Sequence, residues 1–311
     1  MIIGSKLIPL ALLSLGAIGA WPGAASGAPT QADIPYATSA TGEQLKLDLY
    51  LPEQTGAPLL VWLHGGGWEN GNKTAMPLAP IIARGFAVAS LDFSPASKAR
   101  FPGQVHEIKA GIRFLRAEAS RYGYDASRIA ILGASSGAHL AAVVGTSNGS
   151  AELEGALGDH RDQSSDVQAI VSYFAATNLT TILAQSTPFG LNIREPALLR
   201  LLGAPPKEAE ALAKLASPVF QVDRADPPLL LFHGDQDPQM PINQSHELEF
   251  AYEQQGLQVD FIVVHGAAHG GDAFYSPENV ERAAAFLGAQ LRRGAAASAV
   301  PAPGATAGDR I

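Results

Sequence analysis

The chain has 311 residues, 47% of them apolar and 16% charged, a balance that supports a packed core and excludes an extended disordered chain. A formal charge of −8 argues against a nucleic-acid partner, which needs a basic face, and disfavours highly anionic substrates. With no cysteine present, disulfide scaffolds, thiol enzymes and cysteine-anchored lipoproteins are excluded too.

Residues 1–28 read as an export signal, in which Lys6 is followed by apolar LIPLALLSLGAIGA and small-residue GAASGA. That apolar run is shorter than the ~20 residues of a membrane-spanning helix. No stable membrane insertion is expected once the signal is removed, and the expected location is periplasmic or extracellular. A single folded domain is expected over 33–292, and the Ala/Pro/Gly run at 294–311 reads as a flexible tail.

Within the domain, EQLKLDLYLP (43–52) alternates Leu45, Leu47, Leu49 and Leu51 with polar residues, predicting a half-buried strand closed by Pro52. PLLVWLH (58–64) and FAVASLDF (86–93) are nearly continuous apolar runs, as in strands covered on both faces. Between 104 and 119, Val105, Ile108, Ile112 and Leu115 recur at helical spacing. RIAILG (128–133) predicts another buried strand, and GAHLAAVVG (137–145) a buried helix, apolar all round. AIVSYFA (169–175), PLLLFHG (228–234) and DFIVVHG (260–266) give three more strands. SHELEFAYEQQG (245–256) reads as a helix ended by Gly256, and NVERAAAFLGAQLRR (279–293) as the closing helix. Strands alternating with helices predict an α/β fold with a mostly parallel central sheet and helices on both faces. In such sheets functional groups gather at the carboxyl ends of the strands. Residues 178–218 make a long connection that reads either as a small cap over the site or as an ordinary helical excursion.

GASSG (133–137) ends a strand and opens a helix, the setting of a nucleophile elbow. A second match, GTSNG (145–149), trails the helix and reads as a turn. An elbow residue is strained and packed closely at two residues before and two after, where glycine relieves the clash. Those positions are Gly133 and Gly137 for Ser135, but Ala134 and Ala138 for Ser136, so Ser135 is the candidate nucleophile. A serine hydroxyl needs a base, and the chain order on such folds is Ser, acid, His. His269, in the loop GAAHGG, is favoured over His265, which ends an apolar strand. FHGDQDP offers two acids, of which Asp237, deeper in the loop, is favoured over Asp235. In HGGGW (64–68), Gly66 and Gly67 supply backbone N–H groups for an oxyanion, together with the N–H of Ser136. Trp68 is the candidate substrate-binding residue, as the wall of an aromatic acyl site, with plain packing as the alternative. Neither a metal nor a cofactor is expected.

With these residues placed, the chain resembles the α/β-hydrolase superfamily of serine esterases, and more narrowly the bacterial carboxylesterases grouped with feruloyl and acetylxylan esterases. The likeness covers about 33–290 and rests on DIPYATSATGEQLKLDLYLP, HGGGWENGNK, GASSGAHLA, ASPVFQVDRADPPLLLFHGDQDPQMP and GAAHGG. It implies Ser135, Asp237 and His269 as a catalytic triad and Gly66 and Gly67 as oxyanion donors. HGGG also occurs in hormone-sensitive-lipase-like esterases, whose elbow usually ends in two glycines, whereas Ala138 follows Gly137 here. Members often carry a Tyr-Arg pair after the strand FAVASLD; this chain has Phe93 and Ser94. The implied function is an exported serine esterase that forms an acyl-enzyme with short-chain acyl, acetyl or feruloyl-type esters. Its substrate would be a small-molecule or polysaccharide-linked ester. The alternatives are a peptidase or amidase of the same fold, and a catalytically inactive binding protein; the sequence leaves the oligomeric state open.

Overall fold

The apolar runs pair edge to edge in the computed structural model, which describes residues 27–298, with side chains through Arg292. Most of the expected export signal and residues 299–311 lie outside the described residues. The strands are β1 (Gln31–Thr38), β2 (Gln44–Tyr50), β3 (Ala57–Leu63), β4 (Ala87–Leu91), β5 (Tyr124–Ala134), β6 (Ile170–Tyr173), β7 (Leu229–Gly234) and β8 (Val259–Val264). They form one eight-stranded sheet in the order β1-β2-β4-β3-β5-β6-β7-β8. β1 and β2 pair antiparallel, as do β2 and β4, and every later pairing is parallel. Alternate residues of a strand point to opposite faces, so burying both faces demands the near-continuous apolar runs seen in β3 and β4.

One face packs Leu59, Ile131 and Leu231 against the helices Gly103–Ala117, Ser136–Gly145 and Asn243–Gln254, through Ile108, Ile112, Leu140 and Leu248. The other face packs Leu60, Trp62, Leu132 and Phe232 against Phe286 and Leu287 of the helix Pro277–Ser298. Each of these large apolar side chains contributes about 1.5–3 kcal/mol of burial.

The register decides where the loops emerge. Leu63 pairs with Gly133, Ala134 with Tyr173, Tyr173 with Phe232, and Gly234 with Val264. The carboxyl ends of β3, β5, β6, β7 and β8 therefore lie along one rim of the sheet.

Three features differ from the sequence reading, and a fourth takes one of the two forms it left open. β1 was not expected: Pro35 interrupts its pattern, and proline is tolerated because this is an edge strand. β2 is buried on both faces, because Asp48 and Tyr50 face inward and Asp48 is neutralised by Lys73 Nζ at 2.9 Å. The closing helix runs to Ser298, taking in the alanine-rich start of the expected tail, since alanine is the best helix former. The 178–218 connection is helical, with its longest helix at Pro188–Leu202. Thr187 caps that helix by accepting the Gly190 N–H, Pro188 opens it, and Gly203 ends it in the left-handed conformation. Thr187 Oγ1 and Arg194 Nη2 donate to the carbonyls of Pro238 and Gln239, at 3.1 and 2.7 Å, so the excursion braces the loop after β7. Among the described residues no helix is long and apolar enough to cross a membrane.

Candidate active site

β5 stops at Ala134 and a helix begins at Ser136, so the chain must reverse within one residue. Ser135 makes that turn at φ 54° and ψ −120°, a conformation costing about 1–3 kcal/mol for a residue with a side chain. A Cβ on Gly133 would collide with Gly137, and one on Gly137 with the carbonyls of Leu63 and His64. Ser135 N–H donates to Tyr173 O at 2.9 Å, which seats the turn on β6. Its hydroxyl lies 2.9 Å from His269 Nε2. The Ser136 hydroxyl is buried with no hydrogen-bond partner among the described residues.

His269 continues the line inward, with Nδ1 2.7 Å from Asp237 Oδ2. A carboxylate only accepts, so the imidazole proton sits on Nδ1 and Nε2 is left to accept from the serine hydroxyl. The Asp237 side chain is wholly buried. Its Oδ1 accepts the N–H groups of Gln239 and Met240, both at 2.8 Å, and its Oδ2 lies 3.4 Å from His233 Nε2. Burial alone would raise the Asp237 carboxyl, but hydrogen bonds from His233, His269 and the Met240 N–H outweigh it and hold the group well below the usual carboxylate range. The group is thus an anion at neutral pH, suited to stabilising an imidazolium. Asp235 and His265 meet each other instead, at 2.9 Å, with His265 84% exposed and Asp235 also accepting the Gly266 N–H.

Two neighbours of this relay were not singled out from sequence. Phe174, just beyond β6, sets its ring edge-on to His269 with centroids 4.8 Å apart. His233, inside β7, sits behind the acid, its Nε2 shared between Met240 O at 3.0 Å and Asp237 Oδ2 at 3.4 Å and its Nδ1 bonded to Ser245 Oγ at 2.7 Å. The rule that function gathers at strand ends points to Phe174; a histidine inside an apolar run carries no such mark.

The loop after β3 turns on glycine, at φ 133° for Gly66 and 65° for Gly67. A Cβ on Gly66 would strike the Asn70 carbonyl. Gly66 O accepts from Asn70 N at 2.9 Å, closing the turn. Among the described residues none accepts a hydrogen bond from the N–H of Gly66, Gly67 or Ser136. Ser136 also opens a helix, where free N–H groups and the helix dipole favour negative charge.

Trp68 requires a correction. Its side chain is 1% exposed, so it does not line a substrate site. At φ 62° the backbone turns the indole inward, where it sits edge-on to His139 and donates Nε1–H to His139 Nδ1 at 3.0 Å. A ring of this size gains more from burial than from water when its N–H is also satisfied. Phe93 stacks on His64 with centroids 4.4 Å apart, and Ser94 donates its N–H and hydroxyl to Glu107 at 2.7 and 2.8 Å. Gln104 Nε2 joins Trp68 O and Ser94 O, so these loops are tied together by the helix Gly103–Ala117.

A family model described as BD-FAE matches residues 47–252. Esterase LipC of Mycobacterium tuberculosis is 28% identical over 224 residues, which cover 70% of this chain and 53% of LipC. The chain spans about half the length of the curated relatives it matches. Among solved structures, a truncated form of a carbohydrate esterase from gut microbiota superposes with a TM-score of 0.77 at 30% identity, over 87% of this chain and 99% of that one. The propionate-bound thermophilic esterase Est2 of Thermogutta terrifontis superposes with a TM-score of 0.66 at 25% identity, over 83% and 94%.

Proposed function

The chain belongs to the BD-FAE family and has the α/β-hydrolase fold, and from that premise we propose that it is a carboxylic ester hydrolase working through an acyl-enzyme on Ser135. Ser135 Oγ bonds to the ester carbonyl carbon while His269 Nε2 takes the hydroxyl proton. The carbonyl oxygen becomes an oxyanion and accepts hydrogen bonds from the N–H groups of Gly66, Gly67 and Ser136. Removing one such donor typically costs roughly 10²–10³-fold in turnover. Asp237 holds the imidazole in the Nδ1–H tautomer and stabilises the imidazolium. That imidazolium returns its proton to the leaving alkoxide as the C–O bond breaks, which leaves an acyl-serine. A water molecule, deprotonated by His269, then attacks the acyl carbon, and the carboxylic acid departs as Ser135 regains its proton.

The observation that carries this reading is the line of three side chains, with Ser135 Oγ 2.9 Å from His269 Nε2 and His269 Nδ1 2.7 Å from Asp237 Oδ2. Esters of short-chain acyl, acetyl or feruloyl type, on small alcohols or polysaccharide, are the proposed substrates. Likeness to a carbohydrate esterase and to a propionate-bound esterase supports that class, and the chain's negative charge disfavours anionic esters. Ser135→Ala is expected to lower p-nitrophenyl acetate turnover by about 10⁴-fold or more. Asp235→Asn and His265→Gln, which cut the exposed pair, are expected to stay within about twofold of wild type. Undiminished turnover in Ser135→Ala would remove the reading.

A further inference from the structure

His139 takes no part in the relay, yet its imidazole is fully buried between three elements. It lies one turn along the elbow helix, and its backbone N–H donates to Ser135 O at 3.0 Å. Its Nδ1 meets Trp68 Nε1 at 3.0 Å, and its Nε2 meets the Ala216 carbonyl, in the 178–218 excursion, at 2.7 Å. An indole N–H only donates and a carbonyl only accepts, so the ring is neutral with its proton on Nε2. No other protonation state satisfies both partners.

Trp68 is the residue this ring restrains. It holds a left-handed φ of 62° without being glycine, directly after Gly66 and Gly67. Such a conformation is strained for a residue with a side chain and persists only where its surroundings hold it. On the backbone side Trp68 O accepts Ala96 N–H at 2.7 Å and Gln104 Nε2 at 3.1 Å; on the side-chain side the hydrogen bond runs to His139.

We propose that His139 is a positioning residue for the oxyanion loop: by accepting the Trp68 indole N–H, it fixes the strained turn that aims the Gly66 and Gly67 N–H groups at the same point as that of Ser136. This deepens the esterase reading and rests on it. Oxyanion donors act only within a few tenths of an ångström of their working distance, so a loop free to relax at Trp68 loses much of their effect. The bond to Ala216 keeps the ring from rotating after the loop.

Three variants test this with p-nitrophenyl acetate as substrate and a trifluoromethyl ketone as inhibitor, whose serine adduct carries the oxyanion. Trp68→Phe deletes the N–H and keeps a buried aromatic ring. His139→Leu deletes both ring bonds. His139→Gln restores an acceptor for the indole and a donor for Ala216. Expected are losses in kcat of about 10- to 100-fold for the first two, with KM within about twofold, and a matching loss of ketone affinity. His139→Gln is expected to recover most of kcat. If the ring were only a packing element, melting temperature and the fraction of sites labelled by a fluorophosphonate would fall. The kcat per labelled site and the ketone affinity would not move, and that result overturns the proposal. Should His139→Leu not fold, Trp68→Phe decides by the same criteria. Active wild type with an unaffected Trp68→Phe defeats the positioning role alone, whereas wild type that neither turns over nor labels defeats the esterase reading with it.

Discussion

Two buried aspartates show how hydrogen-bond partners decide the charge of a group. Asp237 receives two backbone N–H groups and faces two imidazoles, and these outweigh burial to keep it ionised. Asp226 is nearly as enclosed, but among the described residues only the Asp223 N–H reaches its carboxyl, at 2.9 Å. Burial pushes Asp226 up to about 7; the Asp223 N–H opposes the rise and the Asp223 carboxylate adds to it. A carboxyl whose folded-state value lies above its unfolded value of about 3.9 binds more protons in the folded chain between the two. Its favourable contribution is complete below about pH 4 and is lost as pH rises through 7. Asp226→Asn, which cannot ionise, is therefore expected to raise the melting temperature above wild type at about pH 8, the gain shrinking toward about pH 4. Thermal melts across that range check it, and an equal gain at both ends would contradict the argument.

At the scale of elements, the elbow was legible because two glycines at fixed offsets mark a contact that admits no Cβ. A Cβ at Gly137 meets the carbonyls of Leu63 and His64, where β3 feeds the loop of Gly65, Gly66 and Gly67, and would wedge the elbow helix away from it. The second G-x-S-x-G match ends in Gly149, at φ 73° with open space around it. Gly137→Ala is accordingly expected to cost about 1–3 kcal/mol or more from overpacking, and to lower turnover as well. Gly149→Ala is expected to cost only about 1 kcal/mol, from the left-handed backbone. Urea unfolding of both variants tests the contrast; equal losses would refute it. Other elements were not legible, for physical reasons. Trp68 reads the same whether it points in or out, because the left-handed φ that turns it inward has no signature at a non-glycine residue. The helix Pro188–Leu202 contains Pro196 and leaves Phe189 and Leu199 exposed, so no apolar stripe betrays its packing face. β1 hid behind Pro35.

For the molecule as a whole, sheet register does the assembling. The loops after β3, β5, β7 and β8 carry Gly66, Ser135, Asp237 and His269, and parallel pairing brings all four strand ends to one rim. Strand–helix alternation makes that rim predictable from sequence, which is why loops far apart in the chain were readable as one site. Distances within the rim were not readable, since they follow from register, from the two histidines on Asp237 and from the brace that Thr187 and Arg194 apply to its loop.

The most direct test of the central claim is to label the folded wild-type protein with a fluorophosphonate and locate the adduct by fragmenting the tryptic peptide 129–161. A single phosphonyl group on Ser135, absent from Ser135→Ala and formed in step with the loss of esterase activity, is the predicted result. An adduct on any other residue, or complete loss of activity with Ser135 unmodified, would contradict it.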